Sequence, residues 1–314
     1  MKNNFDYTVI IPACNEQDNI EPLIECLVKL NQNHNYSPEV IIVNDGSTDR
    51  TGEMLEAIRD SYSWIKIHHN FTRRGITFCL ETGHSLASTD IFVFFPADLQ
   101  FSTEDIPSLV NPLIQGKFDI ITGKKIGKYE KKFVSSIYNN LSQWLFKVPV
   151  TDLNSIKAYR REFIKNVPLR KDWHRFMVVM AFEQGARIGE VEVQLFPRKA
   201  GKSKFGLFRI PLAVLDLMTV ISEVRIMRKP MLTFGTLGGI SIILGGLTGL
   251  IALLLRIFGY GFRPLLYLVM LLILGGLLFL VLGIIGESIA SISKRQNIIL
   301  DEIEKIKKNN KNVQ

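Results

Sequence analysis

Glu39-Val40-Ile41-Ile42-Val43-Asn44 runs straight into Asp45-Gly46-Ser47-Thr48-Asp49. The first six residues are a short run of β-branched apolar side chains closed by a polar one, the pattern of a strand buried on both faces. Ser47, Thr48 and Asp49 are good helix N-caps and predict a helix reaching to about residue 61. The same unit recurs on either side. Residues 7–12 (YTVIIP) predict a first strand, followed by a helix over 19–30 with Ile20, Leu23, Ile24 and Leu27 at helical spacing. Residues 64–68 predict a third strand and 75–87 a third helix. Residues 91–95 (IFVFF) predict a fourth strand that ends at Pro96-Ala97-Asp98. Thr103-Glu104-Asp105 opens another helix, and 119–122 is a fifth strand. This alternation predicts an α/β fold with a doubly wound, mostly parallel sheet. Ligands of such sheets bind beyond the carboxyl ends of the strands.

The rest of the chain is of another kind. The 314 residues are 47% hydrophobic and 22% charged, which excludes a disordered or collagen-like chain. A mean hydropathy of +0.16 alongside 38 Lys+Arg and 30 Asp+Glu requires that charge and apolar surface occupy different segments. They do: between residues 231 and 286 the only charges are Arg256 and Arg263. The runs 231–255 and 264–286 each exceed the about 20 residues of helix that cross a bilayer core. Their short connection predicts a transmembrane hairpin with both ends on one side of the bilayer. Arg225, Arg228, Lys229, Lys294 and Arg295 flank those ends, so the positive-inside count places the N-terminal domain and the tail in the cytoplasm, at the inner membrane.

Four segments are expected: a cytoplasmic α/β domain over 1–204, an interfacial amphipathic helix over 205–230, the hairpin over 231–286 and a charged tail helix over 287–314. Ile292, Ile299, Ile303 and Ile306 in the tail stand at near-heptad spacing, which makes it a candidate for packing between copies in a homo-oligomer. The polar start, residues 1–7, speaks against a signal peptide. Cys14, Cys26 and Cys79 form no CxxC, which argues against a disulfide framework or a zinc site. His34, His68, His69 and His84 lack ligand spacing and read as structural or exposed. With a hairpin present, the net charge of +8 points to anionic headgroups and phosphorylated substrates rather than to nucleic acid.

Polar clusters fall where the fold predicts a site. Pro12-Ala13-Cys14-Asn15-Glu16 follows the first strand, Asn44 to Asp49 the second, and Asp98-Leu99-Gln100 the fourth. GxGxxG and GxxxxGK[ST] are both missing, which argues against a dinucleotide oxidoreductase and a P-loop NTPase. Strand-end carboxylates suit a ribose hydroxyl and a divalent cation that neutralises a diphosphate leaving group. Asp45 and Asp98 are read in that functional sense, and Asp49 as turn and N-cap.

The succession VIIPACNE, IIVNDGSTD and ADLQ resembles the family 2 inverting glycosyltransferases of GT-A fold. TDLNSIKAYR (151–160), Trp173-His174-Arg175-Phe176 and FPRKAGKSK (196–204) resemble the polyprenyl-phosphate branch, that of dolichol-phosphate mannosyltransferase and the bacterial GtrB type, in which a C-terminal two-helix hairpin is typical. The resemblance implies that Pro12, Ala13, Glu16 and Asp45 form the pocket for base and ribose of a UDP- or GDP-linked sugar. It implies that Asp98 and Gln100 bind Mg or Mn at the donor diphosphate, that Arg198 and Lys204 belong to a basic loop near diphosphate and acceptor, and that Asp152 is an active-site carboxylate. The chain departs from the family at three places. Pro96 replaces the first Asp of DxD, Lys124-Lys125 stands where many relatives have Ser-Arg, and Asn154-Ser155 replaces Cys-Gly.

The implied acceptor, a polyprenyl (undecaprenyl or dolichyl) phosphate, fits the cations. A phosphate monoester is already largely ionised at neutral pH, so its site must supply positive charge and alignment rather than a base. Lys124, Lys125, Lys128, Lys131 and Lys132 form one basic run; Arg198, Lys199, Lys202 and Lys204 form another. Lys125 and Arg198 are the leading candidates for contact with the phosphate. Asp152 is read as orienting a basic neighbour, with a general-base role as its alternative. The expected function is inverting transfer of a sugar to polyprenyl phosphate at the cytoplasmic face. The alternative, suggested by Pro96, is a catalytically weak, membrane-tethered sugar-nucleotide binder. Processive polysaccharide synthesis is disfavoured because no QxxRW motif occurs.

Overall fold

The computed structural model describes residues 5–33, 36–126, 146, 148–164, 174, 176–197, 218–219, 222, 226, 229–261 and 263–311. The chain divides into two compact units, Met1–Leu207 and Phe208–Gln314.

In the first unit β1 (Tyr7–Ala13), β2 (Pro38–Asp45), β3 (Ile65–Asn70), β4 (Ile91–Phe94), β5 (Ile120–Ile126), β6 (Lys157–Arg160) and β7 (Ile188–Gln194) form one sheet in the order β3-β2-β1-β4-β6-β5-β7. β1 pairs in parallel with β2 and β4, and β2 with β3. β6 is antiparallel to both β4 and β5, and β5 is parallel to β7. The chain winds from β1 out to β3 and resumes at β4 on the other side of β1. The switch point therefore lies between the carboxyl ends of β1 and β4, where doubly wound sheets bind ligands. Because β6 runs backwards, its first residue, Lys157, stands beside Phe94 and Thr122 at that same edge. The turn that leads into β6 is thereby delivered to the site.

Helices α1 (Gln17–Asn33), α2 (Thr51–Ile58), α3 (Ile76–Leu86), α4 (Ile106–Ile114) and α5 (Met177–Glu183) complete this unit. Strand alternation splits the core. Val9, Ile11, Val40 and Ile42 pack with Leu23 and Leu27 of α1, Leu55 of α2 and Leu109 of α4. Ile41 and Val43 face Cys79 of α3 on the other side. α3 lies so close to the sheet that a Cβ at Gly83 would come within 2.4 Å of Ile10, which is why a glycine stands there. The expected doubly wound, mostly parallel sheet is observed. β6, β7 and α5 extend it beyond the five strands read from the sequence, and β5 runs on through Lys124 and Lys125.

The amino ends of the strands are closed by buried charge. The Glu39 side chain accepts from Thr8 Oγ1 (2.6 Å), Lys66 Nζ (2.6 Å) and the Ser88 amide (2.9 Å). Burial works against its charge, but these donors outweigh it and hold its pKa below the usual value. Asp119 receives a two-pronged pair from Arg187 at 2.9 and 2.8 Å, which lowers its pKa likewise. His84 is structural, as read: its Nε2 lies 3.0 Å from Tyr159 Oη and its ring 4.7 Å from that of Phe92. Burial, reinforced by nearby Arg161, pushes its pKa down to about 4.

The second unit holds α6 (Pro230–Ile257) and α7 (Arg263–Lys311). Both are long and apolar enough to cross a membrane, with mean hydropathies of 2.2 and 3.1 over their most apolar parts. Only 6% and 11% of those parts are buried. A core helix of a water-soluble protein would be mostly buried, so this pair forms a candidate transmembrane hairpin. The helices meet through glycine. A Cβ at Gly238 would lie 2.7 Å from the Gly276 carbonyl, and one at Gly276 would lie 2.8 Å from that of Gly238. Ser241 Oγ donates to Leu272 O at 2.8 Å, and the Met231 amide to Glu287 Oε2 at 3.3 Å. The boundary drawn at residues 286 and 287 is not a break in the helix: α7 continues through it to Lys311. Most of the segment 205–230, where an interfacial helix is expected, lies outside the described residues.

His84 gives a signed pH dependence. The unfolded chain takes up its proton below about pH 6.5, the folded chain only near pH 4. In that window the unfolded state binds more protons, so stability falls as pH falls, by up to about 3 kcal/mol. His84→Gln should flatten the profile between pH 6.5 and 4. Denaturant titration of the full chain in detergent, followed by the fluorescence of Trp64, Trp144 and Trp173, measures it.

Candidate active site

The site is assembled from the loops at the carboxyl edge. After β1 the backbone turns at Asn15, whose φ is +57°. The Asn15 amide donates to Ser47 Oγ (3.0 Å), and Asn15 Oδ1 accepts from the Thr48 amide (2.8 Å). The Glu16 amide donates to Thr51 Oγ1 (2.9 Å), while Glu16 Oε2 accepts from Asn19 Nδ2 (2.6 Å). Asp49 accepts from the amides of Thr51 (3.0 Å) and Gln17 (3.2 Å). Burial opposes its charge, and these hydrogen bonds overcome that and lower its pKa. Asp49 thus serves the turn and the start of α2, as read. Pro12, Ala13 and Glu16 border this double loop.

Asp45, at the end of β2, is only 3% exposed. Its Oδ1 accepts from Asn70 Nδ2 (3.1 Å) and the Arg74 amide (2.8 Å), and its Oδ2 from the Gly75 amide (2.8 Å). One carboxylate thereby pins the loop after β3 against the loop after β2. Gly46, at φ +61°, lets the two backbones meet, since a Cβ there would come within 2.6 Å of Thr72. Asp45 therefore has a structural duty that the sequence did not suggest.

After β4 the chain turns at Leu99, whose φ is +52°, an uncommon conformation for a branched side chain. Asp98 Oδ1 accepts from the Gln100 amide at 3.3 Å, and the Gln100 carbonyl accepts from the Phe196 amide at 2.8 Å. Asp98 and Gln100 offer two hard oxygen donors two residues apart; Pro96 offers none. Among the described residues no three His, Cys, Asp or Glu side chains form a ready metal cage. A divalent cation that takes one or two protein oxygens and completes its shell from a diphosphate and water fits this donor set.

Across the edge, Lys125 reaches from β5 to the turn before β6. Its Nζ lies 3.1 Å from Asp152 Oδ2, donates to the Asn154 carbonyl at 2.7 Å, and stands 6.0 Å from the centre of the Phe101 ring. Both side chains of the pair are largely buried, at 12% and 6% exposure. Asp152 Oδ1 also accepts from the Asn154 amide (2.9 Å). The structure thus brings Lys125 and Asp152 together, beside the loop that carries Asp98 and Gln100. Lys124 instead faces Glu192 at 3.8 Å. Arg198 and Lys204 lie outside the described residues, as do Lys128, Lys131, Lys132, Lys199 and Lys202.

Two residues of this edge escaped the sequence reading. Glu190 in β7 accepts from the Thr151 amide and hydroxyl and from the Asp152 amide (3.2 Å). Nothing in an alternating strand marks one of its glutamates as special. Lys157 has no exposed surface at all; the segment 151–160 that contains it carries the family resemblance, but nothing there marks this lysine as buried.

The family model for glycosyl transferase family 2 matches residues 8–169, more than half of the chain. The chain belongs to that family. This family 2 glycosyltransferase is 30% identical over 308 residues to dodecaprenyl-phosphate galacturonate synthase of Rhizobium johnstonii, covering 91% of this chain and 88% of that protein. It is 24% identical over 322 residues to undecaprenyl-phosphate 4-deoxy-4-formamido-L-arabinose transferase of Proteus mirabilis, covering 97% and 96%. Both alignments take in the greater part of the hairpin as well as the sheet. In fold it resembles glucosyl-3-phosphoglycerate synthase from Mycobacterium tuberculosis, solved with Mn2+, uridine diphosphate and glucosyl-3-phosphoglycerate. The TM-score is 0.56 at 20% identity, over 71% of this chain and 81% of that one.

Asp45→Ala should release the loop after β3, because three donors lose one buried acceptor. Stability should drop by about 1.5–3 kcal/mol, the scale of hydrogen bonds to a charged group. Asp45→Asn, which keeps one acceptor, should lose less. Chemical denaturation of both variants in detergent, with amide hydrogen exchange across residues 70–75, reads the effect.

Proposed function

We propose that this glycosyltransferase moves a sugar, with inversion, from a nucleotide-diphosphate sugar to a polyprenyl phosphate at the cytoplasmic face of the inner membrane. The observation that carries the reading is the division of the strand-end edge. Oxygen donors at Asp98 and Gln100 lie on one loop, and a buried cation, Lys125, is held at 3.1 Å from Asp152 on the facing turn. The full-length similarity to two transferases named for polyprenyl phosphates supports the acceptor, as does the apolar hairpin. The basic residues flanking the hairpin support the orientation.

In this reading an acceptor phosphate oxygen forms a bond to the anomeric carbon as the bond from that carbon to the donor diphosphate breaks, and the bonding pair leaves with the diphosphate. The nucleophile is already an anion, so no proton need be removed. Lys125 offsets its charge beside an anionic donor, and Asp152 fixes the ammonium in place rather than acting as a base. Arg198 and Lys204, assigned by the family resemblance to a basic loop near diphosphate and acceptor, would supply further positive charge. Asp98 and Gln100 would hold a divalent cation, Mg or Mn, and such a cation would supply positive charge to offset that of the diphosphate. Pro12, Ala13, Glu16 and the loops pinned by Asp45 form the nucleoside pocket.

Four outcomes are expected. Labelled sugar should pass to polyprenyl phosphate and not to polyprenol; equal transfer to the alcohol would return Asp152 to the role of general base. Lys125→Ala should weaken acceptor use by roughly 1.5–3 kcal/mol in kcat/KM, the scale of one charge-assisted hydrogen bond. Chelator, and separately Asp98→Ala, should depress turnover by orders of magnitude with the fold retained; full turnover in chelator would show that cationic side chains replace the metal. The anchor is checked on native membranes, where alkaline wash without detergent should leave the protein in the pellet.

A further inference from the structure

Lys157 is a lysine with no exposed surface, set at the first position of β6. Taking an ammonium out of water costs several kcal/mol unless it is well solvated by the protein. Its Nζ donates to the Leu153 carbonyl at 2.9 Å and to the His174 carbonyl at 3.4 Å, and it stands 5.8 Å from the centre of the Phe94 ring. An apolar side chain would fill this place without that cost, so the charge requires a reason.

The contacts supply one. Leu153 lies between Asp152 and Asn154. Lys157 holds the carbonyl of Leu153, and Lys125 holds the carbonyl of Asn154. Glu190 takes the amides of Thr151 and Asp152, and Asp152 Oδ1 takes the amide of Asn154. Amides and carbonyls of one turn are thus held by side chains of β5, β6 and β7, and the turn carries two partners of Lys125, the Asp152 carboxylate and the Asn154 carbonyl. Lys157 also ties the same turn to the segment at His174.

We infer that Lys157 is a positioning residue for the transfer: it sets the turn 152–154, which in turn sets the Lys125 ammonium for the acceptor phosphate. This rests on the acceptor reading given above. Lys157 does not touch substrate, since it is wholly enclosed. Its effect therefore passes through Lys125, and this separates it from a residue that merely supports the fold.

The test is a double-mutant cycle on the full chain in detergent, with polyprenyl phosphate as acceptor. Lys157→Met keeps the length of the side chain and removes its charge and donors. It should lower kcat/KM for the lipid phosphate by roughly 100-fold, the scale of a misplaced reacting group, and change the donor KM far less. In the Lys125→Ala background the same substitution should have little further effect, because the group it positions is gone. Lys157→Arg should restore much of the acceptor kcat/KM lost in Lys157→Met. Where Lys157→Met does not fold, the cycle is run with Lys157→Arg, which should shift acceptor kcat/KM in the parent and not in Lys125→Ala. Multiplicative losses in the double variant, or a rise in donor KM equal to the acceptor effect, would overturn the inference while leaving the acceptor reading intact. Absence of transfer to polyprenyl phosphate by the unmutated protein would overturn both.

Discussion

A parallel strand covered on both faces meets water only at its ends. That constraint governs the N-terminal unit of this chain. Val9, Ile11, Val40 and Ile42 are enclosed on one side of the sheet, Ile41 and Val43 on the other, and no polar chemistry can be carried between the ends. The two edges have been used in opposite ways. At the amino edge Glu39 and Asp119 are satisfied by Lys66 and Arg187 and close the structure. At the carboxyl edge the charges sit on strand ends and loops, and chain reversal brings Lys125 and Asp152 together.

The reversal of β6 makes that convergence possible. Had β6 run parallel to β4, residues 151–156 would have emerged at the amino edge, with the sheet between them and Asp98. Running backwards, the strand starts where β4 and β5 end, with Lys157 paired to Phe94 and Thr122. One short antiparallel strand thus places Asp152 within reach of Lys125, from the two sides of a connection of some thirty residues. The ion pair is buried, so its geometry is worth more than that of a surface pair, and removal of one partner would strand the other.

How far the sequence showed this depends on where the information lies. β1, β2 and β4 were legible because a doubly buried strand writes a nearly unbroken apolar run, β3 and β5 from shorter apolar stretches at their place in the alternation, and the hairpin because a bilayer demands length. Both signals are local. β6 has four residues, with Lys157 and Arg160 at its ends, and charge at a strand terminus reads as loop. In β7 the glutamates at 190 and 192 interrupt the apolar pattern. The pairing of Lys125 with Asp152 fits the reading of Asp152 as a residue that orients a basic neighbour, but the neighbour could be named only once the strand order was known. The duties of Asp45 and Glu190 were hidden for a related reason: their partners are backbone amides, which any residue supplies.

The continuity of α7 has a mechanical consequence. Forty-nine residues at about 1.5 Å each make a rod of roughly 74 Å, against about 30 Å of bilayer hydrocarbon. Were its apolar part seated in a bilayer, about 40 Å of a straight helix would extend beyond the hydrocarbon, since the helix is unbroken at the boundary. Such a rod is a lever whose fulcrum is the membrane. A change in lipid thickness that re-tilts the hairpin by about 10° would sweep the far end of α7 through roughly 7 Å, so the tail reports the tilt of its anchor in amplified form.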